Sequence, residues 1–238
     1  MNKALEILQK YWKHDAFREP QEEIIASVLD GKDTFALMPT GGGKSICFQV
    51  PAMMQEGICL VISPLIALMR DQVENLQNKG IKAIALTGGI YHDDIIDLLD
   101  NCQFGNYKFL YLSPERLQND WILERIKNLP INLIAIDEAH CVSQWGHDFR
   151  PEYIKLSILH ERFPAVPRIA LTATADPQTR AEIADRLQLN SAMQFVSSFD
   201  RPNIRYEIVE KANSRNQLLD FIETEHAGEA GIVYCLSR

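Results

Sequence analysis

"FALMPTGGGKSICF", residues 35–48, decides how the rest of the chain is read. An apolar run enters three consecutive glycines and leaves through Lys44 and Ser45 into a segment of helical character. That is the strand–loop–helix setting of a phosphate-binding loop. Behind Thr40, residues Gly41, Gly42 and Gly43 are free to take positive φ, so successive N–H groups can converge on phosphate oxygens. Lys44 supplies a point charge for the β- and γ-phosphates, and Ser45 a hydroxyl for Mg²⁺. The pattern G-x-x-x-x-G-K-[ST] asks for a glycine where this chain has Met38. At a strand end that glycine only helps the chain turn, and Pro39 with the glycine triplet can turn it instead. The competing reading is a glycine-rich turn with a chance lysine, so the surroundings of the loop carry weight.

Outward from the loop, short apolar runs alternate with longer segments of 3.6-residue period. "TFALM" is followed by "ICLVIS", "KAIALTG", "FLYLSP", "LIAIDEA", "RIALTATA" and "MQFVSS". Most are nearly continuous in apolar residues, as strands buried on both faces of a parallel sheet must be. Between them, "PLIALMRDQVENLQNK", "DDIIDLLDNC", "PEYIKLSILHERF" and "PQTRAEIADRLQL" read as helices. The alternation predicts a doubly wound, mostly parallel α/β domain. Ser63-Pro64, Ser113-Pro114 and Asp176-Pro177 follow strands and read as N-caps with proline at the first helical position. Such helix starts gather at the carboxyl edge of a parallel sheet and hold anions there, although plain capping explains any one of them. After about residue 200 the pattern becomes a connector, a strand, a helix and a second buried strand. It reads as the opening of another domain, giving expected domains of 1–203 and 204–238.

Bulk properties narrow the function classes. The chain has 238 residues, 46% hydrophobic, and a formal charge of −8, so no global basic field advertises nucleic acid. Its five cysteines never occur as C-x-x-C, which argues against a disulfide framework or a four-cysteine zinc site. The N-terminus lacks a signal core, and the longest apolar stretch is short and broken by Pro64. A soluble intracellular protein is expected, in the cytoplasm or nucleoid, or in the nucleus of a eukaryote, with no membrane partner.

"LIAIDEAH" ends a buried strand in two carboxylates. Asp137 is placed to hold Mg²⁺ through water and Glu138 to polarise an attacking water. His140, Cys141 and His147 match no zinc spacing. In "CVSQWGHDFRPEY", Trp145, His147, Phe149 and Arg150 crowd one segment. Two readings stand for its aromatics, core packing and stacking on single-stranded bases. "ALTATAD" places Thr172 and Thr174 at another strand end, where they can hydrogen-bond the acidic pair and relay the presence of a γ-phosphate.

Taken together, "FREPQEEII", "MPTGGGKSICFQVPA", "SPLIALMRDQV", "YLSPERL", "DEAHCVSQWGHDFRPEY", "ALTATAD", "SFDRPNIRY" and "IVYCLSR" occur in the order of one family. The chain resembles the RecQ family of ATP-dependent DNA helicases, in superfamily two, over essentially its whole length. The most specific segment is the one running on from D-E-A-H. The resemblance implies a RecA-like first lobe with ATP and Mg²⁺ at its edge. Gln21 would then read adenine, with Arg18 packing on the base; His14 stands where the family often has an aromatic. Lys44, Asp137 and Glu138 would be the catalytic groups. "SQWGHDFR", with Gln144, Trp145, His147, Phe149 and Arg150, would be the aromatic-rich loop that couples single-stranded DNA to hydrolysis. The amides after Ser63 and Ser113 would contact DNA phosphates.

By the same resemblance the arginine finger, zinc module and winged helix lie beyond Arg238, so zinc is not expected in this chain. Very slow hydrolysis and no unwinding are expected of the chain alone, since an arginine finger contributes about 10³–10⁵ in rate. The whole helicase would move 3′ to 5′ on single-stranded and partly duplex DNA, in repair or recombination. An RNA helicase on the same architecture and a non-catalytic nucleotide-binding module are the alternatives.

Overall fold

The computed structural model describes residues 2–145, 148–197 and 204–235, apart from the His92 side chain. They fall into two compact units, Met1–Phe199 and Asp200–Arg238. Each apolar run of the first unit contains one strand: β1 (Thr34–Leu37), β2 (Ile58–Ile62), β3 (Ala83–Leu86), β4 (Phe109–Leu112), β5 (Ile131–Ile136), β6 (Arg168–Thr172) and β7 (Met193–Val196). They form one sheet in the order β3-β4-β2-β5-β6-β1-β7, with every neighbouring pair parallel.

The helices of this unit are α1 (Asn2–Ile7), α2 (Gln21–Leu29), α3 (Ile46–Met54), α4 (Ile66–Asn78), α5 (His92–Phe104), α6 (Asp120–Lys127), α7 (Pro151–Ile154), α8 (Ile158–Arg162) and α9 (Pro177–Arg186). They cover both faces, which is why the strands are apolar at every position rather than at alternate ones. Along β1, Phe35 and Leu37 enter one core with Leu60, Ile134 and Ile183. Ala36 and Met38 enter the other with Phe48, Val61 and Leu171. The edge strand β7 is the exception, with Met193 and Val196 about half exposed.

Three local readings are corrected. The segment 151–163 is not one helix: it breaks into α7, a 3₁₀ turn at Lys155–Ser157, and α8. Ser63 does not cap α4. Leu65 is extended at the cap position, the helix starts at Ile66, and the Ser63 hydroxyl is buried beneath it without a partner. Ser113 precedes only a 3₁₀ turn, Arg116–Gln118. The working cap there is Asn119, whose Oδ1 accepts from the N–H groups of Trp121 at 3.0 Å and Ile122 at 3.3 Å at the start of α6. Asp176 does cap α9, accepting from the Thr179 N–H at 2.7 Å.

At the opposite rim from the glycine loop, Arg168 opens β6 almost wholly buried. Its guanidinium meets the Asp33 carboxylate and donates to the carbonyls of Leu187 at 2.7 Å and Gln188 at 2.9 Å. The lead-in to β1, the start of β6 and the end of α9 are thereby locked together.

In the second unit α10 (Ser214–Glu225) forms behind an Asn213 cap. Neither expected strand is present among the described residues: 204–210 and 231–235 carry no strand, and Ile208 and Tyr234 are 98% and 90% exposed. An apolar run becomes a strand only where a neighbouring ladder takes up its N–H and C=O groups, and this unit offers none.

Candidate functional site

Parallel pairing sends the carboxyl ends of all seven strands to one rim, and the segments holding residues 41–45, Asp137, Glu138, Thr172 and Thr174 leave the strands there. The glycine loop leaves β1 after Met38, which is buried and still paired through its N–H to the Thr172 carbonyl at 3.0 Å. A turn closed by Gly42 N–H to the Pro39 carbonyl at 2.9 Å then reverses the chain. Gly41 and Gly43 take φ of +79° and +78°, a region costly for any residue with a Cβ. Met38 therefore does no work in the turn, and a glycine there is not needed.

Gln21 and Arg18 are fastened to this loop. Gln21 Nε2 donates to the carbonyls of Gly42 and Gly43, each at 3.2 Å, and its Oε1 accepts the Arg18 N–H at 2.9 Å. Arg18 Nη1 donates to the Gly41 carbonyl at 3.0 Å. A Cβ on Gly43 would displace the Gln21 amide from the loop, and the positive φ is itself strained for any residue with a side chain. Two clefts flank the loop. One of about 470 Å³ is lined by His14, Arg18, Gln21, Gly41 and Gly43. The other, about 390 Å³, is lined by Arg18, Pro20, Met38, Pro39 and Gly42.

Asp137 follows β5, two strand steps from β1, with β6 and Thr172 between them. Neighbouring strands are about 4.8 Å apart, so the two strand ends stand about 10 Å apart along the rim. At Asp137 burial and then the Glu138 charge raise the pKa to about 6, with the Lys44 charge among the smaller influences that oppose them. A carboxylate held at such a cost in a buried position is one that a cation would relieve. Glu138 goes the other way: its contact with His140 holds its pKa below the usual range. The Glu138 backbone is left-handed, φ +49°, a strained conformation for a side chain of this size.

His140 is the residue that sequence reasoning passed over. Its Nδ1 lies 2.8 Å from Thr172 Oγ1 and 3.2 Å from Glu138 Oε2. The adjacent Cys141 thiol and the Glu138 carboxylate push its pKa up to about 10, so it is charged at neutral pH. Thr172 thus reaches the acidic pair through His140 rather than directly. Thr174 faces its own strand end, its N–H donating to Thr172 Oγ1 at 3.2 Å. The signal for His140 lay in its position two residues after Glu138 and was read only against zinc spacing. Among the described residues no group of three His, Cys, Asp or Glu side chains could hold a metal alone.

Beyond the acidic pair, Trp145 is 76% exposed, which removes it from the core; Phe149 is half-buried and Gln144 exposed. His147 lies outside the described residues. Arg150 braces three rim segments: Nη1 donates to the Pro64 carbonyl at 3.0 Å and lies 3.9 Å from Glu115, while its N–H donates to the Cys141 carbonyl at 2.8 Å. Ser63 and Ser113 continue the adjacent strands β2 and β4, so the two segments after them sit side by side on this rim.

A glycine loop, an adjacent carboxylate pair with Asp137 buried, and a threonine strand end, all on the carboxyl rim of one parallel sheet, define a RecA-like α/β domain. The DEAD/DEAH box helicase family model matches residues 18–183, and the chain belongs to that family. Within it the chain is similar over nearly its whole length to RecQ-type proteins. It is 46% identical to the ATP-dependent DNA helicase RecQ of Pasteurella multocida, covering 99% of this chain and 37% of that protein. It is 42% identical to the probable ATP-dependent DNA helicase RecS of Bacillus subtilis, covering 100% and 48%. The chain therefore spans less than half the length of these relatives. Solved structures share the fold: the Hef helicase domain of Pyrococcus furiosus (TM-score 0.57, 21% identity, 75% of this chain and 38% of that one) and the DUF1998 helicase MrfA (TM-score 0.62, 17% identity, 81% and 32%).

Proposed function

We propose that this chain is the ATP-binding lobe of a RecQ-type DNA helicase, in which a Mg·ATP complex sits between the glycine loop and Asp137. The observation that carries the proposal is geometric: the glycine loop after β1 and the buried Asp137 after β5 stand on the same carboxyl rim, separated only by β6. The amides of Gly41, Gly42 and Gly43 and the Lys44 ammonium would grip the β- and γ-phosphates. Arg18 and Gln21, already tied to the loop, would meet the base in the cleft that His14 also lines.

The donor set fits magnesium: one buried carboxylate, a serine hydroxyl and phosphate oxygens are the ligands it takes, with waters completing the shell. Ser45 and Asp137 would hold it, and the ion would neutralise charge on the transferring phosphoryl group. Glu138 does the proton work. His140 engages Oε2 and keeps the carboxylate ionised, and Oε1 accepts a proton from the attacking water. Thr172, bonded to His140, would register the γ-phosphate at second hand.

Single-stranded DNA would run along the rim past the segments after Ser63 and Ser113 to the loop of Gln144, Trp145, His147, Phe149 and Arg150. An indole 76% exposed on such a loop offers a stacking face to any base. The test is ATP turnover in a chain extended to the length of the relatives, with oligothymidylate or oligouridylate added. Trp145→Ala with Phe149→Ala should abolish most DNA stimulation while basal turnover persists, and DNA should stimulate more than RNA. Full stimulation in the double variant would return these aromatics to a packing role.

A further inference from the structure

We infer that Glu182, on α9, is a positioning residue that ties the loop carrying Trp145 to the strand carrying Thr172. The inference rests on the proposed stacking role of Trp145. Three hydrogen bonds carry it. The Trp145 N–H donates to Ser143 Oγ at 3.2 Å, the Ser143 hydroxyl donates to Glu182 Oε2 at 2.7 Å, and the Gln144 N–H points to Glu182 Oε1 at 3.5 Å. Ser143 is fully buried and the Glu182 side chain only 15% exposed, so the serine–carboxylate bond at the centre is partly shielded from water. Each bond polarises the next, and a carboxylate at its end makes the serine bond a charge-assisted one. The indole is presented to solvent from a residue whose own N–H is tied into this set of bonds. A stacking side chain pre-positioned in this way loses less freedom on binding than one on a free loop.

The same residue closes a ring. From Ser143 the 3₁₀ turn Ala139–Val142 leads back to His140, which bonds Thr172 at 2.8 Å. From Thr172 the chain runs through Thr174 and the Asp176 cap into α9, and so to Glu182. The β5 exit and the β6–α9 connection are therefore pinned at two points, one at the γ-phosphate end and one at the aromatic end. A displacement of the Trp145 loop pulls on α9 directly and on Thr172 through it. Nothing in the local sequence signals this, because Glu182 lies 39 residues from Ser143 and reads as an ordinary helix-surface acid.

The test uses the chain with Trp12→Phe and Trp121→Phe, so that emission reports Trp145. Glu182→Ala should lower the fluorescence anisotropy of Trp145 and weaken oligothymidylate binding about tenfold, the loss typical of a charge-assisted hydrogen bond. Affinity for a fluorescent ATP analogue should stay unchanged. Glu182→Gln keeps a neutral acceptor for Ser143 and should restore part of both readouts, to a level clearly above the Ala variant. Ser143→Ala removes the same bond from the loop side and should behave as Glu182→Ala does, including where that variant fails to fold. Unchanged anisotropy and affinity in Glu182→Ala and Ser143→Ala, or a Gln variant as poor as the Ala one, would overturn the inference. A Trp145→Ala control separates the two levels. Weaker binding there with none in Glu182→Ala removes only the role of Glu182, whereas unchanged binding in Trp145→Ala removes the stacking reading itself.

Discussion

Asp137 is where stability and proposed function pull apart. Burial raises its pKa from 3.8 to about 6. Between those values the folded chain binds more protons than the unfolded one, so this group's contribution to stability falls as pH rises through the window. At neutral pH a buried, ionised Asp137 is a net cost. Asp137→Asn keeps an acceptor for the Glu138 N–H, which now bonds Oδ1 at 3.0 Å, and removes the charge. It should raise stability at pH 7.5 by about 1–3 kcal/mol, the range set by a shift of about two units. The gain should fall to roughly half at pH 5 and vanish only below about pH 3.8, where the wild-type group is protonated in both the folded and the unfolded chain. Thermal melts at both pH values check this; a variant less stable than wild type at pH 7.5 would contradict it.

Among the elements, the strands of the first unit were readable, the two read after residue 200 are not strands among the described residues, and some helix starts were misread. All seven apolar runs became strands because burial on both sheet faces writes itself into composition at every position. Helix starts depend on a single side chain reaching a single N–H, which explains why Ser63 and Ser113 misled while Asp176 did not. Long-range polar links left no local trace: Arg168 meets Asp33 across 135 residues, and Ser143 meets Glu182 across 39. At the candidate site the glycine loop and the acidic pair were legible as contiguous motifs. The His140–Thr172 link was not, since it needs two strand ends to be neighbours. The Arg168 clamp gives the prediction at this scale. Asp33→Ala leaves a buried guanidinium without its counter-charge and should cost about 3 kcal/mol in urea unfolding. A loss under about 1 kcal/mol, the worth of a surface pair, would show that the clamp is not a buried ion pair in effect.

For the whole molecule, the contrast is between a sheet covered on both faces and a second unit with no buried residue among those described. A 12-residue helix without tertiary cover is marginal in water, so the amides of α10 should exchange with solvent far faster than those of β2 and β5. Hydrogen exchange read by mass spectrometry should show α10 fully exchanged within the shortest labelling times while the central strands stay protected. Comparable protection in both would mean that α10 is covered by structure not seen here.

In the proposed function Lys44 and Asp137 act on one magnesium-bound triphosphate from the same rim. The most direct measurement is ATP affinity with Mg²⁺ and with EDTA, in wild type, Lys44→Ala, Asp137→Asn and the double variant. Wild type should bind more tightly with Mg²⁺, each single variant should lose most of that gain, and the double variant should lose little more than either single one. An undiminished Mg²⁺ gain in Asp137→Asn, or losses that simply add, would mean that the two residues serve separate sites.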